Sequence, residues 1–289
     1  MEDQERRDQQ REPIDLALLR GWIGREQEAE DVLTPRIIDG LRATLDGVTS
    51  SIAVPASVHW CLAPQVARQS DLSLDGHSNR GEFLPPSPLP RRMWAGSDVE
   101  FLSEITLMDA VTRRSRVEDV ELKQGRTGPL VFVTVRHDWS TVRGPALREF
   151  QKIVYRSPSV AQASRSAQTE EKRRPIHQQV IEASEALLFR YSALTFNAHR
   201  IHYDRPYAIE VEGYGGLLVH GPLQASLLLE FAGTLRNGQR PRRFSFKGVE
   251  PLFDGQTFTL NAKENKQNLD LWCADAQGTV TMQATAEWV

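Results

Sequence analysis

The chain has 289 residues, a length that suits one large domain or two moderate ones rather than one small domain. A hydrophobic content of 40%, a charged content of 25% and a net charge of −3 are typical of a globular protein and imply no general affinity for nucleic acid. No apolar stretch approaches the roughly 20 residues that a membrane span needs. Two cysteines, Cys61 and Cys273, match no metal or redox spacing and favour a reducing cytoplasm.

The first half of the chain begins with a polar segment, residues 1–20, which predicts a disordered tail without the apolar core of a secretory signal. A helix is predicted over residues 34–45 from the spacing of its apolar positions. A loop-rich stretch follows and contains Asp75-Gly76-His77 and four prolines between positions 85 and 90. From residue 99 to residue 155 the pattern is β-like, with strands expected at 131–135 and 147–155 and a turn at 126–128.

Residues 157–175 contain almost no large apolar side chain, so they cannot bury enough surface to offset their ordering entropy. They are predicted to link a unit at 21–156 to a unit at 176–289. The second unit should begin with a helix over 181–193 and end with strands over 243–253, 256–264, 269–274 and 279–289, the last pair joined by a turn at Gln277-Gly278. Each half thus pairs helical material with later antiparallel strands, which predicts an α+β unit used twice.

The segment from residue 191 to residue 229 carries the chemistry. Asn197, His199, His202 and Asp204 form a polar loop, and Val219-His220-Gly221-Pro222 follows. Proline suits the first turn of a helix, and the apolar residues after it recur at four-residue steps, so a buried helix should begin at Gly221. Its first turn offers free backbone N–H groups. A general base facing such donors is the minimum equipment for chemistry beside a carbonyl, although a buried helix with nothing bound is the plainer interpretation.

The second half resembles the MaoC-like, hydratase-2 branch of the hot dog fold, in which an antiparallel sheet wraps a long helix. Twelve residues match the pattern of that family: Tyr191, Thr195, Ile201, His202, Asp204, Val219, His220, Gly221, Phe246, Lys247, Pro251 and Gly255. Asn197 stands where most members have the catalytic aspartate, and His199-Arg200 replaces Asn-Pro. This variant is similar to a subgroup of two-hot-dog proteins that includes the mitochondrial 3-hydroxyacyl-thioester dehydratases and the bacterial mesaconyl-C4-CoA and itaconyl-CoA hydratases.

The run from Pro90 to Gly96 and the Asp75-Gly76-His77 segment are also similar to that subgroup. The resemblance therefore covers most of the chain and implies a double hot dog, two units each with a long helix wrapped by an antiparallel sheet. It further implies that the degenerate N-terminal half supplies part of an acyl-thioester tunnel.

The resemblance assigns roles to individual residues. His202 becomes the general acid and base, Asn197 positions the attacking water, and the Gly221 N–H stabilises the developing oxyanion. Substrate-binding roles are expected for a further set, in which arginines suit a substrate carboxylate or a CoA phosphate: Arg91, Arg92, Trp94, Tyr191, Arg200, His220 and Lys247. Trp94 suits core packing equally well, and His220 should hold the helix entry.

No metal is expected, because His199, His202 and Asp204 lack a further strong ligand.

The implied activity is reversible hydration of an α,β-unsaturated acyl-CoA thioester by a cytoplasmic hydro-lyase. No cofactor is expected, CoA being part of the substrate, and no nucleic-acid or membrane partner. A short branched dicarboxylic acyl group, itaconyl or mesaconyl-C4, is implied by the subgroup alone. Three rival functions remain open: a 3-hydroxyacyl-ACP or -CoA dehydratase of fatty-acid synthesis, a non-catalytic acyl-thioester binder and a thioesterase. A homodimer is compatible with the resemblance.

Overall fold

The computed structural model describes residues 14–49, 54–125, 128–157 and 174–288. Within these ranges ten strands form one antiparallel sheet. The strands β1 to β10 span, in chain order, Glu26–Val32, Arg91–Phe101, Ala110–Gly125, Gly128–Thr141, Gly144–Arg156, His177–Glu182, Arg243–Gly248, Thr257–Asn265, Asn268–Ala274 and Val280–Glu287. Their order across the sheet is β1-β3-β4-β5-β2-β7-β10-β9-β8-β6.

This order shows that the chain uses one connectivity twice. From one edge inward the strands run 1, 3, 4, 5, 2, and from the other edge inward they run 6, 8, 9, 10, 7. The two units join where β2 pairs with β7, from Gly96 opposite Lys247 to Glu100 opposite Arg243. The predicted double hot dog of class α+β is therefore confirmed, with the two five-stranded halves continuous in a single sheet.

Four α-helices accompany the sheet in the described residues: α1 at Leu16–Arg20, α2 at Pro35–Thr44, α3 at Glu185–Thr195 and α4 at Gly221–Thr234. The predicted helices over 34–45 and from Gly221 are confirmed. All side chains from residue 223 to residue 232 are buried, because α4 packs against β7 to β10, β2 and the 3₁₀ turn Ala56–Cys61. It is the long central helix that the hot dog resemblance implies for the C-terminal half.

The N-terminal half lacks a matching central helix in its described residues. In the C-terminal half, α4 lies between α3 and β7. The corresponding segment of the N-terminal half lies between α2 and β2, and its described residues 54–90 form no α-helix and contain the 3₁₀ turns Ala56–Cys61 and Gln69–Asp71. The longest helix of this half in its described residues is the ten-residue α2, and no α-helix stands at the place of α4. Without that helix, the inner face of β3, β4 and β5 is left to line a cavity rather than to pack against a buried helix.

Several predicted boundaries need correction. Residues 177–182 form β6, so the helix expected from 181 begins at Glu185, where the Ser184 hydroxyl accepts a hydrogen bond from the Leu187 N–H and caps it. The strand expected over 243–253 ends at Gly248. Residues 14–20 of the expected tail include α1, whose Leu19 is buried in the core of the N-terminal half. The rest of the tail, most of the linker and part of the 126–128 turn lie outside the described residues, and the unit boundaries stay a prediction.

Candidate active site

A cavity of about 700 Å³ is lined by residues of both halves. This volume is typical of small-molecule sites. From the C-terminal half come Asn197, His202 and Gly221, and from the N-terminal half come Arg92 and Trp94. The structure therefore brings together the three predicted catalytic residues and two of the predicted substrate-binding residues.

His202 closes the 3₁₀ turn Arg200–His202 and is 7% exposed. Its Nδ1 lies 2.7 Å from the Leu218 carbonyl oxygen. A carbonyl only accepts, so Nδ1 carries the proton and Nε2 keeps its lone pair. Burial lowers the pKa of His202 to about 4. The imidazole is therefore neutral at physiological pH and able to accept a proton from water.

Two residues predicted to bind substrate instead support His202 from behind. The His220 ring stacks on the His202 ring with centroids 3.6 Å apart, and its Nε2 lies 2.8 Å from the Ser192 hydroxyl. Tyr191 is fully buried, with its hydroxyl 3.1 Å from the Ser226 hydroxyl and its ring 5.2 Å from His220. Neither belongs to the cavity wall formed by the described residues. Their predicted substrate contact is therefore corrected to a role in packing the catalytic histidine.

Asn197 reaches the cavity because α3 ends abruptly before it. Phe196 adopts a left-handed conformation, with φ of 51°, and the Asn197 N–H donates to the Ser192 carbonyl at 2.9 Å. The Asn197 Oδ1 accepts a hydrogen bond from the His199 backbone N–H at 3.0 Å. Its NH₂ group and the second lone pair of Oδ1 are left to meet a water. Water positioning by Asn197 therefore stays a prediction.

Gly221 is the first residue of α4, directly after the N-cap residue His220. An N–H in the first turn of a helix has no partner within that helix, and the helix dipole favours negative charge beside it. A Cβ built on Gly221 would meet the Trp94 carbonyl oxygen at 3.8 Å and the Met282 Cε at 4.0 Å, both ordinary contacts. Glycine is thus not forced by crowding from the protein at this position. It leaves the backbone N–H open to the cavity, as the predicted oxyanion role requires.

A loop of the N-terminal half, residues 73–77, is docked onto residues 198–200 of the catalytic loop. No role was predicted for its residues from the sequence. The Arg200 N–H donates to the Asp75 carbonyl at 2.9 Å, and Gly76 lies against Ala198 with φ of +87°. His77 lines the cavity, and its ring centroid is 4.0 Å from that of His199. The Asp-Gly-His segment was visible in the sequence as part of the resemblance, but nothing in it indicated a contact with residues 198–200.

Asp75 and His77 form a half-buried acid–imidazole pair. The His77 Nδ1 lies 3.0 Å from the Asp75 Oδ2. Burial, and then the charge of Arg92, lower the pKa of His77 to about 4. Burial acts to raise the pKa of the Asp75 carboxyl, but the hydrogen bonds and charge of His77 outweigh it and hold that pKa below its usual range. The pair is therefore a carboxylate beside a neutral imidazole at neutral pH.

The metal set weighed from the sequence is not assembled. Asp204 pairs with Arg200 at 2.7 Å and accepts from the Tyr207 N–H at 3.1 Å, so its carboxylate is engaged. A different set, Asp75, His77 and His199, has its ligand atoms within 4.8 Å of one another. Both Asp75 oxygens already accept hydrogen bonds, from the Ser73 hydroxyl and from His77. The positive charge of Arg92 also acts on His77. These groups fit a hydrogen-bonded cluster better than a cation site.

The arginines predicted to bind substrate differ in whether they reach the cavity. Arg91 pairs with Glu212 at 2.9 Å, and Arg200 pairs with Asp204. Neither contributes to the cavity wall within the described ranges, so their predicted contact with substrate is corrected: each guanidinium is taken up by a neighbouring carboxylate. Arg92 does line the cavity, as predicted.

Trp94 also lines the cavity, and its indole N–H donates to the Gly96 carbonyl at 3.1 Å and to the Ser97 hydroxyl at 2.9 Å. Lys247 lies exposed on β7, next to the cavity-lining Gly248. Its predicted role in substrate binding is not tested by this position and stays a prediction.

Polar side chains on the inner face of β3, β4 and β5 form a further part of the wall that sequence reasoning did not identify. Glu149 is 1% exposed and accepts from the Trp60 indole N–H at 3.3 Å, and burial raises its pKa to about 7. His137 and Arg113 lie on neighbouring strands of the same wall. The two-residue alternation from Val131 to Val135 places His137 on the inward face, so this signal was present in the sequence.

Comparison with known proteins decides the family. Residues 57–254 match the family model described as hydroxyacyl-thioester dehydratase type 2. The chain belongs to this family. It is 41% identical to the mesaconyl-C(4)-CoA hydratase of Chloroflexus aurantiacus over 274 residues, which cover 92% of this chain and 96% of that protein.

A second member, the mitochondrial hydroxyacyl-thioester dehydratase type 2 of Schizosaccharomyces pombe, is 25% identical over 268 residues, which cover 81% of this chain and 89% of that protein. The crystal structure of HtdX from Mycobacterium tuberculosis superposes with a TM-score of 0.67 and 21% identity over 92% of this chain and 100% of that chain, and it shows the same fold. The expected MaoC-like family and hydro-lyase class are confirmed. No helix in the described part of the chain is long and apolar enough to cross a membrane.

Proposed function

We propose that this member of the hydroxyacyl-thioester dehydratase family adds water reversibly to an α,β-unsaturated acyl-CoA. The acyl group is a short branched dicarboxylic one, mesaconyl-C4 or itaconyl. The observation that carries the activity is a neutral His202 with a free Nε2 in the same cavity as the Gly221 N–H. The 41% identity to a mesaconyl-C(4)-CoA hydratase supports the choice of acyl group.

In the proposed reaction, the thioester oxygen accepts a hydrogen bond from the Gly221 N–H. The His202 Nε2 takes one proton from water as the water oxygen bonds to Cβ, and the electron pair of the double bond moves toward the thioester oxygen. The imidazolium of His202 then returns that proton to Cα. Donors aimed at the developing charge are each worth a few kcal/mol, about 10²- to 10³-fold in rate, and general acid–base catalysis contributes about 10²- to 10⁴-fold.

A distal carboxylate on the acyl group needs a cation in the cavity wall. Arg92 lies in that wall, and its charge acts on His77 and His199 beside the catalytic loop. A charged hydrogen bond in a partly desolvated site is worth about 1.5–3 kcal/mol, or roughly 10- to 150-fold. We therefore expect mesaconyl-C4-CoA or itaconyl-CoA to be preferred over crotonyl-CoA by at least about tenfold in kcat/KM.

The test is a kinetic comparison of these three thioesters, followed by the loss of enoyl-thioester absorbance. Arg92→Gln should shrink the preference for the dicarboxylic substrates more than it lowers turnover of crotonyl-CoA. Arg156→Gln is the matched control, because Arg156 is another cation of the same wall. Equal turnover of crotonyl-CoA, or a rate that rises with acyl length, would transfer the assignment to a fatty-acyl dehydratase of the CoA or ACP type.

The site itself disfavours a non-catalytic acyl-thioester binder. Such a protein has no use for a buried neutral His202 in the same cavity as the free N–H at the start of α4.

Two further features belong to the proposal. A cytoplasmic location is supported by Cys61 and Cys273, which are both free and buried. A homodimer is proposed on the family resemblance alone, and sedimentation equilibrium tests it.

A further inference from the structure

The attacking water has two hydrogens, and the catalytic loop supplies one evident acceptor for them. The His202 Nε2 can take one hydrogen. The Asn197 Oδ1 already accepts from the His199 N–H, so one of its two lone pairs is used, and its NH₂ group only donates. A further acceptor that holds the second hydrogen fixes the orientation of the water and directs its lone pair at Cβ.

The docked loop of the N-terminal half brings a second acceptor to the same cavity. We propose that His77 is a catalytic residue, whose Nε2 accepts the second hydrogen of the attacking water, and that Asp75 is the residue that positions it. This inference rests on the proposed hydration activity and adds a role to the N-terminal half.

The hydrogen-bond geometry sets the tautomer that this role needs. The Nδ1 edge of His77 is turned to the Asp75 Oδ2 at 3.0 Å, and a carboxylate only accepts, so Nδ1 carries the proton. The His77 ring is part of the cavity wall, and with Nδ1 engaged by Asp75, Nε2 is the nitrogen left to accept a hydrogen from a molecule in the cavity. The lowered pKa of His77, about 4, keeps that lone pair free at neutral pH.

The loop is built to hold this histidine in place. The Asp75 Oδ1 accepts from the Ser73 hydroxyl at 2.9 Å and from the His77 backbone N–H at 3.0 Å. The Ser73 N–H donates to the His77 carbonyl at 2.7 Å. The Asp75 carbonyl in turn accepts from the Arg200 N–H, two residues before His202. This hydrogen bond ties the loop that carries His77 to the turn that carries His202.

The proton balance does not change. His202 takes one proton from water as the bond between oxygen and Cβ forms, and it returns that proton to Cα. The hydrogen held by His77 stays on oxygen and becomes the hydrogen of the product hydroxyl. His77 therefore orients the nucleophile as an acceptor and need not change its protonation state.

The experiment compares His77→Ala, His77→Gln and the double variant His77→Ala/Asn197→Asp with the parent protein on its best enoyl-CoA. His77→Ala should lower kcat by at least about tenfold with little change in KM, because the water and not the acyl-CoA loses a contact. His77→Gln should retain more activity, since its Oε1 also accepts. The double variant should recover at least about tenfold over His77→Ala, because a carboxylate at 197 is a charged and stronger acceptor than the amide. Asp75→Asn should lower kcat and leave KM unchanged, because an amide also accommodates the wrong tautomer of His77.

Melting temperatures of all variants, measured alongside, separate lost chemistry from lost fold. A parental kcat in a folded His77→Ala variant overturns the inference, and so does a double variant no faster than His77→Ala. Activity of the parent that is lost on chelation and restored by a divalent ion also overturns it, by assigning Asp75, His77 and His199 to a metal. A parent that hydrates none of the enoyl-CoA thioesters refutes the proposed function itself, and with it this role for His77.

Discussion

Replacing Gly76 by alanine tests the contact between the two halves directly. A Cβ built on Gly76 lies 1.9 Å from the Ala198 carbonyl oxygen and 2.8 Å from its carbon, both in the backbone of the catalytic loop. The residue also has φ of +87°, a conformation that side-chain-bearing residues rarely adopt. Alanine therefore adds two separate costs, a backbone strain at residue 76 and a clash with residue 198.

The clash decides the magnitude. Cβ atoms essentially never come closer than 3.0 Å to such neighbours, so the two loops must separate by at least about 1.1 Å, the difference between 3.0 and 1.9 Å. A misplacement of about 1 Å at a catalytic constellation costs about 10²-fold in rate. The left-handed conformation alone costs about 1–2 kcal/mol of stability. We therefore expect Gly76→Ala to lower kcat/KM by about 10²-fold.

Gly278→Ala is the matched control for the strain. Gly278 has φ of +83° in the turn before β10, and a Cβ there meets nothing within 4 Å. Both variants should lose similar stability from the backbone, but only Gly76→Ala should lose activity. The assay is steady-state hydration of the best enoyl-CoA together with thermal unfolding of both variants. A Gly76→Ala protein with kcat/KM within about threefold of the Gly278→Ala protein would refute the claim that the loop contact sets the active-site geometry.

Three more perturbations test the catalytic residues, the metal question and the buried histidines. His202→Ala should lower hydration by at least about 10²-fold with little change in melting temperature, and near-parental turnover would contradict its role as the proton carrier. Dialysis against a strong chelator should leave activity and melting temperature unchanged, and recovery of lost activity by one divalent ion would favour a metal. Burial lowers the pKa of His59 and His137 to about 3 and that of His77 and His202 to about 4, so below pH about 6.5 the unfolded state binds more protons and the free energy of unfolding should fall as pH drops toward 4. Thermal unfolding from pH 7.5 to 4.5 checks this, and a flat profile would contradict it.

The location of the candidate active site could be predicted because its signal is local. Pro222 after Gly221, and the four-residue apolar spacing that follows, define the start of a buried helix from local geometry alone. The chemistry of the imidazole then identifies His202 as the titrating group of the preceding loop. The same locality explains the prediction of an α+β unit used twice, because the order of helix and antiparallel strands is visible as a pattern in each half, whereas the hot dog fold itself was implied by the family resemblance.

The predicted substrate contacts of Arg91 and Arg200 needed correction, because the ionic partner of a side chain depends on the tertiary structure. Arg91 and Arg92 are adjacent on β2, so their side chains point to opposite faces of the strand. Arg91 meets Glu212, which is 121 positions away, and Arg92 faces the cavity. Because the two residues are adjacent in the sequence, both were equally good candidates for substrate binding. The alternation of side chains along β2 distinguishes them, but a β-like pattern was expected only from residue 99 and β2 begins at Arg91.

The edge strands were missed for a related reason. β1 and β6 lie at the two ends of the sheet, and their side chains alternate between exposed and half-buried. The sequence of β1, Glu-Gln-Glu-Ala-Glu-Asp-Val, is almost wholly polar, so hydrophobic alternation gives no strand signal. Charged side chains on an edge strand discourage pairing with another chain, which accounts for a composition that strand propensity alone would reject.

The two halves contribute different parts of the candidate site, although they share one repeated connectivity. The C-terminal half keeps its central helix α4, which begins with the N–H of Gly221 directly after His220, whose ring stacks on His202. The N-terminal half has short 3₁₀ turns at the corresponding place in its described residues, and its sheet face carries polar groups such as Glu149 in the cavity wall. The freed chain segment also reaches the catalytic loop through Gly76. The absence of a central helix from this described segment thus provides both the space for an acyl group and the loop that completes the site.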